Sequence, residues 1–91
     1  MSGLLSLKYT TLYKALTHPI RLELINLLFE KHQDVGRLGE QLNIRQSNVS
    51  QHLQVLRKNG FVLSEKVGKR RIYSINPEYK KIVSYLMKFK P

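Results

Sequence analysis

The sequence contains no cysteine and no tryptophan, and it has few acidic residues for its length. Without cysteine, the chain can form neither a disulfide nor a thiolate metal site nor a thiol redox sensor, which fits a cytoplasmic protein. The apolar N-terminus is interrupted by Lys8 and has no basic segment before it, so neither a membrane span nor a signal peptide is indicated. These absences favour a cytoplasmic protein that makes no use of a membrane.

The shortage of acids leaves the chain strongly basic. Sixteen Lys and Arg stand against six Asp and Glu, which gives a formal charge of +10 and a pI of about 10.2. This balance predicts a polyanionic partner such as nucleic acid or an anionic membrane, although a ribosome-like or merely soluble basic protein is an alternative. With 91 residues, 42% of them hydrophobic, we expect a single domain over residues 1–91 with a small core.

One stretch, QSNVSQHLQVLRKN at residues 46–59, carries the pattern of a helix buried on one side only. Val49, Leu53 and Leu56 recur at helical spacing and form a narrow apolar stripe. The opposite face offers hydroxyls and amides, contains no acid, and ends in two basic residues before Gly60. Such groups suit base edges and phosphates in a major groove, so the stretch is predicted to be a recognition helix.

The elements before this helix complete a helix-turn-helix pattern. Asp34 is a good N-cap for a short third helix at residues 35–42, and Asn43 suits the left-handed position that ends it. About three residues then lead into Gln46, which is the spacing of a helix-turn-helix. Gly39 offers a position for close approach between the two helices.

Three further helices are predicted around this motif. The first covers residues 4–16, and the second begins at Pro19 and ends near Lys31. The second is apolar on two sides, with Leu24 and Leu28 on one and Phe29 on the other, which places it at the centre of the core. A last helix begins at Pro77.

Between the recognition helix and the last helix, two strands form a basic hairpin. A Gly68–Lys69 turn pairs Val62 with Ile75 and Ser64 with Tyr73. Basic residues concentrate near its tip, where Glu65 is the only acid close in sequence: Lys66, Lys69, Arg70 and Arg71. A charged hairpin often only protects a sheet edge from aggregation. Beside a helix-turn-helix, we interpret it as a wing that contacts phosphates or the minor groove.

Taken together, KALTHPIRLELINLL, VGRLGEQLNIRQSNVSQHLQVLRKNGFV and GKRRIYSI resemble the ArsR-type winged helix-turn-helix repressors of bacteria and archaea. The resemblance covers residues 14–75, and Q-S-x-V-S-Q-H-L followed by L-R-x-x-G is its most specific part. The predicted elements themselves give a mostly α fold with a small β-hairpin, in the order α-α-α-α-β-β-α. The resemblance implies a winged helix-turn-helix homodimer whose recognition helices enter successive major grooves of an imperfect inverted repeat.

The resemblance assigns roles to particular residues. It gives operator contacts to Gln46, Ser47, Ser50 and Gln51, and less directly to Asn48. Arg45 replaces a small capping residue and either contacts a phosphate or guanine or faces solvent. The terminal helices, residues 1–16 and 77–91, would form the dimer interface, and their apolar surface suggests the same independently. The interface residues would be Leu4, Leu5, Tyr9, Leu12, Tyr79, Ile82, Val83 and Leu86.

His52 also falls on the family pattern, and it has two interpretations. It is either a base contact or pH sensor, or a partly buried side chain packed near the wing. We favour the second, because its neighbour Leu53 belongs to the core.

Many ArsR-like proteins are metal sensors, but their ligand motifs are missing here. The third helix has no cysteine pair, and the last helix has no histidine and Glu78 as its only acid. We therefore predict no metal and no cofactor, although a site shared between protomers through His32 and Asp34 stays open. No nucleophile–base pair, carboxylate pair or phosphate-binding loop indicates an enzyme.

The sequence thus predicts a dimeric, metal-independent regulator that binds double-stranded DNA sequence-specifically and represses transcription by occluding a promoter. Two alternatives stay open: a basic architectural DNA- or RNA-binding protein without sequence readout, and a winged-helix module for protein interaction. The sequence predicts no particular operator, regulated gene, or small-molecule or protein effector.

Overall fold

The computed structural model of this protein describes residues 14–88, apart from the side chains at positions 86 and 87. Within these residues the helices are α1 (Pro19–Glu30), α2 (Val35–Leu42), α3 (Gln46–Lys58) and α4 (Lys80–Met87), and the strands are β1 (Gln33–Asp34), β2 (Val62–Val67) and β3 (Arg70–Ile75). The expected winged helix-turn-helix order is confirmed. Of the first predicted helix, residues 14–16 are helical, and the rest lies outside the described residues.

The helix ends lie where their capping residues predict. His18 caps α1 by accepting from the backbone N–H of Ile20 through Nδ1, at 3.1 Å. Asp34 caps α2 in the same way through the N–H of Arg37, at 2.8 Å. Asn43 adopts the left-handed conformation, with φ of 55°, that ends α2 and turns the chain towards α3.

The core lies between α1, the helix-turn-helix and the base of the hairpin. α1 contributes Leu24, Ile25 and Leu28, which confirms its central position. Its second apolar side is less buried than predicted, because the Phe29 side chain is 42% exposed. The remaining buried hydrophobic residues come from the other segments: Ala15, Leu16, Leu38, Val49, Leu53, Leu56, Phe61, Val62, Tyr73, Ile75 and Val83.

The hairpin has the predicted register and gains a third strand. Val62 pairs with Ile75 and Ser64 pairs with Tyr73, around a turn in which Gly68 has φ of 63°. β1 adds to the other edge of β3, which gives the order β1-β3-β2. A two-residue strand has no alternation of apolar and polar residues, so the sequence offered no signal for it.

The last helix differs from its prediction in two respects. Pro77–Tyr79 forms a 3-10 turn, capped by the side chain of Asn76, before α4 begins at Lys80. Val83 is fully buried within its own chain, so its side chain has no surface left for a dimer partner, and its assignment to that interface is corrected. Ile82 is 47% exposed, whereas Tyr79 is half-buried with its ring 4.9 Å from that of Phe61.

The other expected interface residues, Leu4, Leu5, Tyr9 and Leu12 with the side chain of Leu86, lie outside the described residues. Among residues 14–88, no helix combines the length and the apolar character that crossing a membrane requires.

Candidate nucleic-acid interface

The outward face of α3 is polar and contains no acid. Val49, Leu53 and Leu56 are fully buried and fix the orientation of the helix on the core. Because helical residues three and four positions apart share a face, the opposite side presents one continuous row. This row, which we call the polar row, consists of the exposed side chains Ser47, Gln51, Gln54 and Lys58.

The remaining predicted contact residues lie on the flanks of the polar row. Arg45 and Asn48 are exposed, and Arg45 makes no side-chain hydrogen bond that would cap α3. Ser50 is half-buried. Gln46 is exposed but leans over α2, since a β-carbon at Gly39 would lie 3.7 Å from its Cγ. The six predicted positions therefore do not present equally to a ligand.

Gly39 sets how closely α2 approaches the turn that leads into α3. A β-carbon at this position would lie 2.9 Å from the carbonyl oxygen of Ile44, which is shorter than van der Waals contact allows. The same turn is held by the N–H of Ile44, which donates to the carbonyl of Gly39 at 3.0 Å. The orientation of α3 thus depends on the missing side chain of Gly39.

The wing is attached to the helix-turn-helix by an ion pair that the sequence did not indicate. The guanidinium of Arg70 donates to Oδ2 of Asp34, with Nε at 2.7 Å, while Oδ1 accepts from the backbone of Arg37. The hydrogen bond from Arg37, followed by that from Arg70, holds the pKa of Asp34 below its usual value. The fold therefore brings a second acid beside Glu65 to this region, and the charge of Arg70 is partly neutralised.

The other basic residues of the wing have different surroundings. Nη1 of Arg71 donates to Oγ of Ser64, on the facing strand, at 2.9 Å. Lys66 and Lys69 are exposed, and the described part of the chain offers them no hydrogen-bond or ion-pair partner. The two lysines are therefore the wing cations whose charge is available to an external anion without competition.

His52 lies on the flank of α3 that faces the start of α1. Its Nδ1 accepts from Nε of Arg21 at 3.2 Å, and its ring centroid is 4.4 Å from that of His18. Arg21 also donates from Nη1 to the carbonyls of Lys14 and Ala15, at 3.4 and 3.3 Å. Partial burial is as expected, but the neighbours come from α1 rather than from the wing.

This arrangement favours neutral His52. Burial, followed by the electrostatic influence of the neighbouring His18 and Arg21 side chains, lowers the pKa of His52 below its ordinary value of 6.5. Since Nδ1 accepts a hydrogen bond, the ring proton of the neutral form resides on Nε2. The sequence did not predict this contact, because Arg21 and His52 are 31 residues apart and lie in separate helices. The local sequence around either residue does not indicate the other as its partner.

Side chains that could bind a metal ion are dispersed over the part of the chain that the structure describes. Over residues 14–88, no three His, Cys, Asp or Glu side chains come close enough together to hold one ion.

Comparison with known proteins identifies the family. A family model described as "Bacterial regulatory protein, arsR family" matches residues 18–64, from the N-cap of α1 into β2. The chain belongs to the ArsR family. The resemblance in the sequence is confirmed, and the related proteins are named as transcriptional regulators rather than as enzymes.

Two curated relatives illustrate the range of this ArsR-family group. The biofilm growth-associated repressor of Xylella fastidiosa is 41% identical over 64 residues, which are 70% of this chain and 56% of the repressor. The transcriptional activator HlyU of Vibrio cholerae is 34% identical over 71 residues, 78% of this chain and 66% of HlyU. The chain thus matches little more than half to two thirds of the length of these relatives.

Solved structures have the same fold along almost the whole chain. HlyU from Vibrio cholerae superposes with a TM-score of 0.86 at 31% identity, covering 96% of both chains. A homodimeric winged helix-turn-helix DNA-binding domain from Mycobacterium bovis superposes with a TM-score of 0.85, covering 97% of this chain and 88% of that one. Its identity is 23%, so it supports the fold alone.

Proposed function

We propose that this ArsR-family protein is a transcriptional regulator that reads double-stranded DNA with α3. The observation that carries the proposal is the polar row, exposed and free of acids, beside the cationic wing. Amide and hydroxyl groups such as those of Gln51 and Ser47 can donate to and accept from base edges in the major groove. Lys66 and Lys69 would supply phosphate contacts that position the domain without reading sequence.

We further propose that the protein binds as a homodimer to an imperfect inverted repeat. The structural neighbour from Mycobacterium bovis is described as homodimeric, so this fold is compatible with pairing. On α4, Ile82 and Tyr85 are spaced three residues apart and are 47% and 61% exposed, so they offer apolar surface to a second copy. A two-fold axis would place two α3 helices one turn of DNA apart, which matches half-sites about 34 Å apart.

Repression without metal is the regulatory mode that we propose. A dimer bound across a promoter excludes polymerase by occupying the same DNA, and the Xylella relative is named a repressor. The Vibrio relative is named an activator, and transcription in vitro distinguishes the two directions of control. Metal independence is supported by the sequence, since the chain has no cysteine and α2 has no histidine.

Selection from a random duplex library tests the proposal as a whole. The purified full chain should enrich one sequence with two-fold symmetry, and a footprint on that sequence should protect two half-sites one helical turn apart. Transcription in vitro from a promoter containing the site should fall as protein is added, with or without a chelator. If no sequence were enriched among the bound duplexes, sequence reading would be wrong and a basic architectural protein would be favoured.

Sedimentation tests the homodimer separately. The parent should sediment as a dimer at micromolar concentration, and Ile82→Asp should shift it towards monomer, since a buried unpaired charge at an interface is costly. Val67→Asp is the matched control, because Val67 is also an exposed aliphatic residue, at 55%, but lies on the wing. If the parent sedimented as a monomer, the homodimer and the inverted repeat would both be wrong. DNA reading by a single α3 would still be tested by the selection experiment.

A further inference from the structure

A second polar surface lies between the C-terminal half of α3 and the wing. There, a cleft of about 250 Å³ separates the helix from the hairpin. Its lining residues are Gln54, Arg57, Ser64, Arg71 and Tyr73. Arg71 was assigned a DNA contact from the sequence, and Gln54 and Arg57 belong to the helix face predicted to suit base edges and phosphates. Neither of these two residues was assigned a contact of its own.

The cleft combines two guanidinium groups with no acid in its lining. Arg71 is held in place by its hydrogen bond to Oγ of Ser64, at 2.9 Å. Arg57 is exposed, and within residues 14–88 no hydrogen bond or ion pair is formed by its side chain. The neighbouring acid, Glu65, follows Ser64 in β2, and because side chains alternate along a strand it points to the other face of the sheet.

This chemistry favours a bound anion. Two positive charges on one cleft repel each other, and an anion between them turns that repulsion into attraction. The planar fork of donors on each guanidinium matches the oxygens of a phosphate group. Ser64 pre-orients one of the two forks, so part of the entropy of ordering Arg71 is already lost before binding.

The position of the cleft identifies which phosphate it would hold. Gln54 belongs both to the polar row and to the lining of the cleft. A helix whose polar row enters the major groove has the DNA backbone at the edges of that groove, beside the helix. Resting on the function proposed above, we propose that the cleft binds one phosphodiester group of the DNA backbone between Arg57 and Arg71.

Salt dependence of DNA binding tests this clamp. Neutralising one phosphate contributes about 0.9 to the slope of log K against log salt. Because both arginines address the same phosphate, the Arg57→Ala plus Arg71→Ala variant should lose about 0.9 in slope, not twice that amount. Affinity for the selected site and for scrambled duplex should fall by the same factor, on the order of tenfold.

Lys31→Glu is the charge-matched control, since it changes the net charge by as much as two Arg→Ala substitutions. Lys31 is exposed and lies before the opposite edge strand of the sheet. This control removes the same net charge but should leave the slope within error of the parent. Thermal unfolding of each variant checks that the fold is retained, and Arg71→Lys, which keeps a donor, should restore part of the affinity.

Neutral methylphosphonate linkages then locate the phosphate. These linkages would be placed one at a time along the selected site. At one position in each half-site, the substitution should weaken DNA binding by the parent. At that same position it should leave DNA binding by the double arginine variant unchanged. A loss in slope of about twice 0.9 would assign the arginines to separate phosphates and overturn the shared clamp. If the variant matched the parent in affinity and slope, the clamp would be wrong while sequence reading stood. If the parent bound no duplex, both proposals would fail.

Discussion

Nε of Arg21 donates a hydrogen bond to Nδ1 of His52, and this bond joins the start of α1 to α3. The same guanidinium is held by the carbonyls of Lys14 and Ala15 at the end of the preceding helical segment. The Arg21 side chain therefore joins the short helical segment before α1 to α3, which lies 31 residues further along the chain. The contact requires a neutral His52, because a protonated ring would direct a second donor at Arg21.

Acidification should destabilise the protein through this contact. Since the pKa of His52 is lower in the folded than in the unfolded chain, the unfolded state binds more protons as pH falls below about 6.5. The stability that His52 contributes is therefore complete above that pH and is lost as pH falls towards and through its folded pKa. Thermal unfolding followed from pH 7.5 to 5 would show a decline in the melting temperature.

His52→Gln keeps a polar side chain of similar reach but cannot titrate, so its melting temperature should depend less on pH in that range. His32→Gln is the control, because His32 is exposed at the far end of α1. If His52→Gln declined as steeply as the parent, His52 would not be the group responsible.

The Asp34–Arg70 ion pair should restrain the wing while adding little stability. Asp34→Asn keeps the N-cap of α2 but removes the charge, so the free energy of unfolding should fall by less than about 1 kcal/mol. The release of Arg70, together with the loss of a negative charge, should strengthen binding to every duplex and steepen its salt dependence by about one phosphate. Titration of scrambled duplex at several salt concentrations measures both effects.

Asp34→Ala provides the comparison, since it removes the cap as well and should cost about 1 kcal/mol more in unfolding free energy. Unchanged affinity of Asp34→Asn for scrambled duplex would show that Arg70 contributes nothing to DNA binding even when it is released.

Gly39→Ala should destabilise the helix-turn-helix. The added methyl group would lie 2.9 Å from the carbonyl oxygen of Ile44, so the turn must shift to accommodate it. Overpacking of this kind costs about 1–3 kcal/mol, which is measurable by urea unfolding. Gly36→Ala is a milder control, since its nearest contact would be 3.3 Å away, at the side chain of Asp34. Equal stability of Gly39→Ala and the parent would contradict a tight approach at this point.

The elements that the sequence predicted are those with a local signal. Asp34 and Asn43 fix both ends of α2 by capping chemistry, and the Gly68–Lys69 turn determines the register of β2 and β3. Likewise, the apolar spacing of α3 predicted its buried stripe, and hence its exposed polar row. Each of these signals is contained within a few consecutive residues.

The features that escaped prediction depend on contacts between distant residues. The Asp34–Arg70 pair spans 36 residues, and the contact between Arg21 and His52 spans 31. β1 is too short to have a pattern, and the burial of Val83 depends on how α4 lies on the core. Amphipathic spacing placed Val83 on the apolar stripe of α4 but could not tell the core from a partner.

The ratio of affinities for the selected site and for a scrambled duplex, at physiological salt, tests sequence reading by α3 most directly. For the parent we expect a ratio of about a thousandfold or more. Gln51→Ala should lower this ratio by a factor equivalent to about 1–3 kcal/mol of discrimination free energy. Gln41 is an exposed glutamine on α2, and Gln41→Ala should leave the ratio unchanged. Equal affinity of the parent for both duplexes, or an unchanged ratio in Gln51→Ala, would contradict the account.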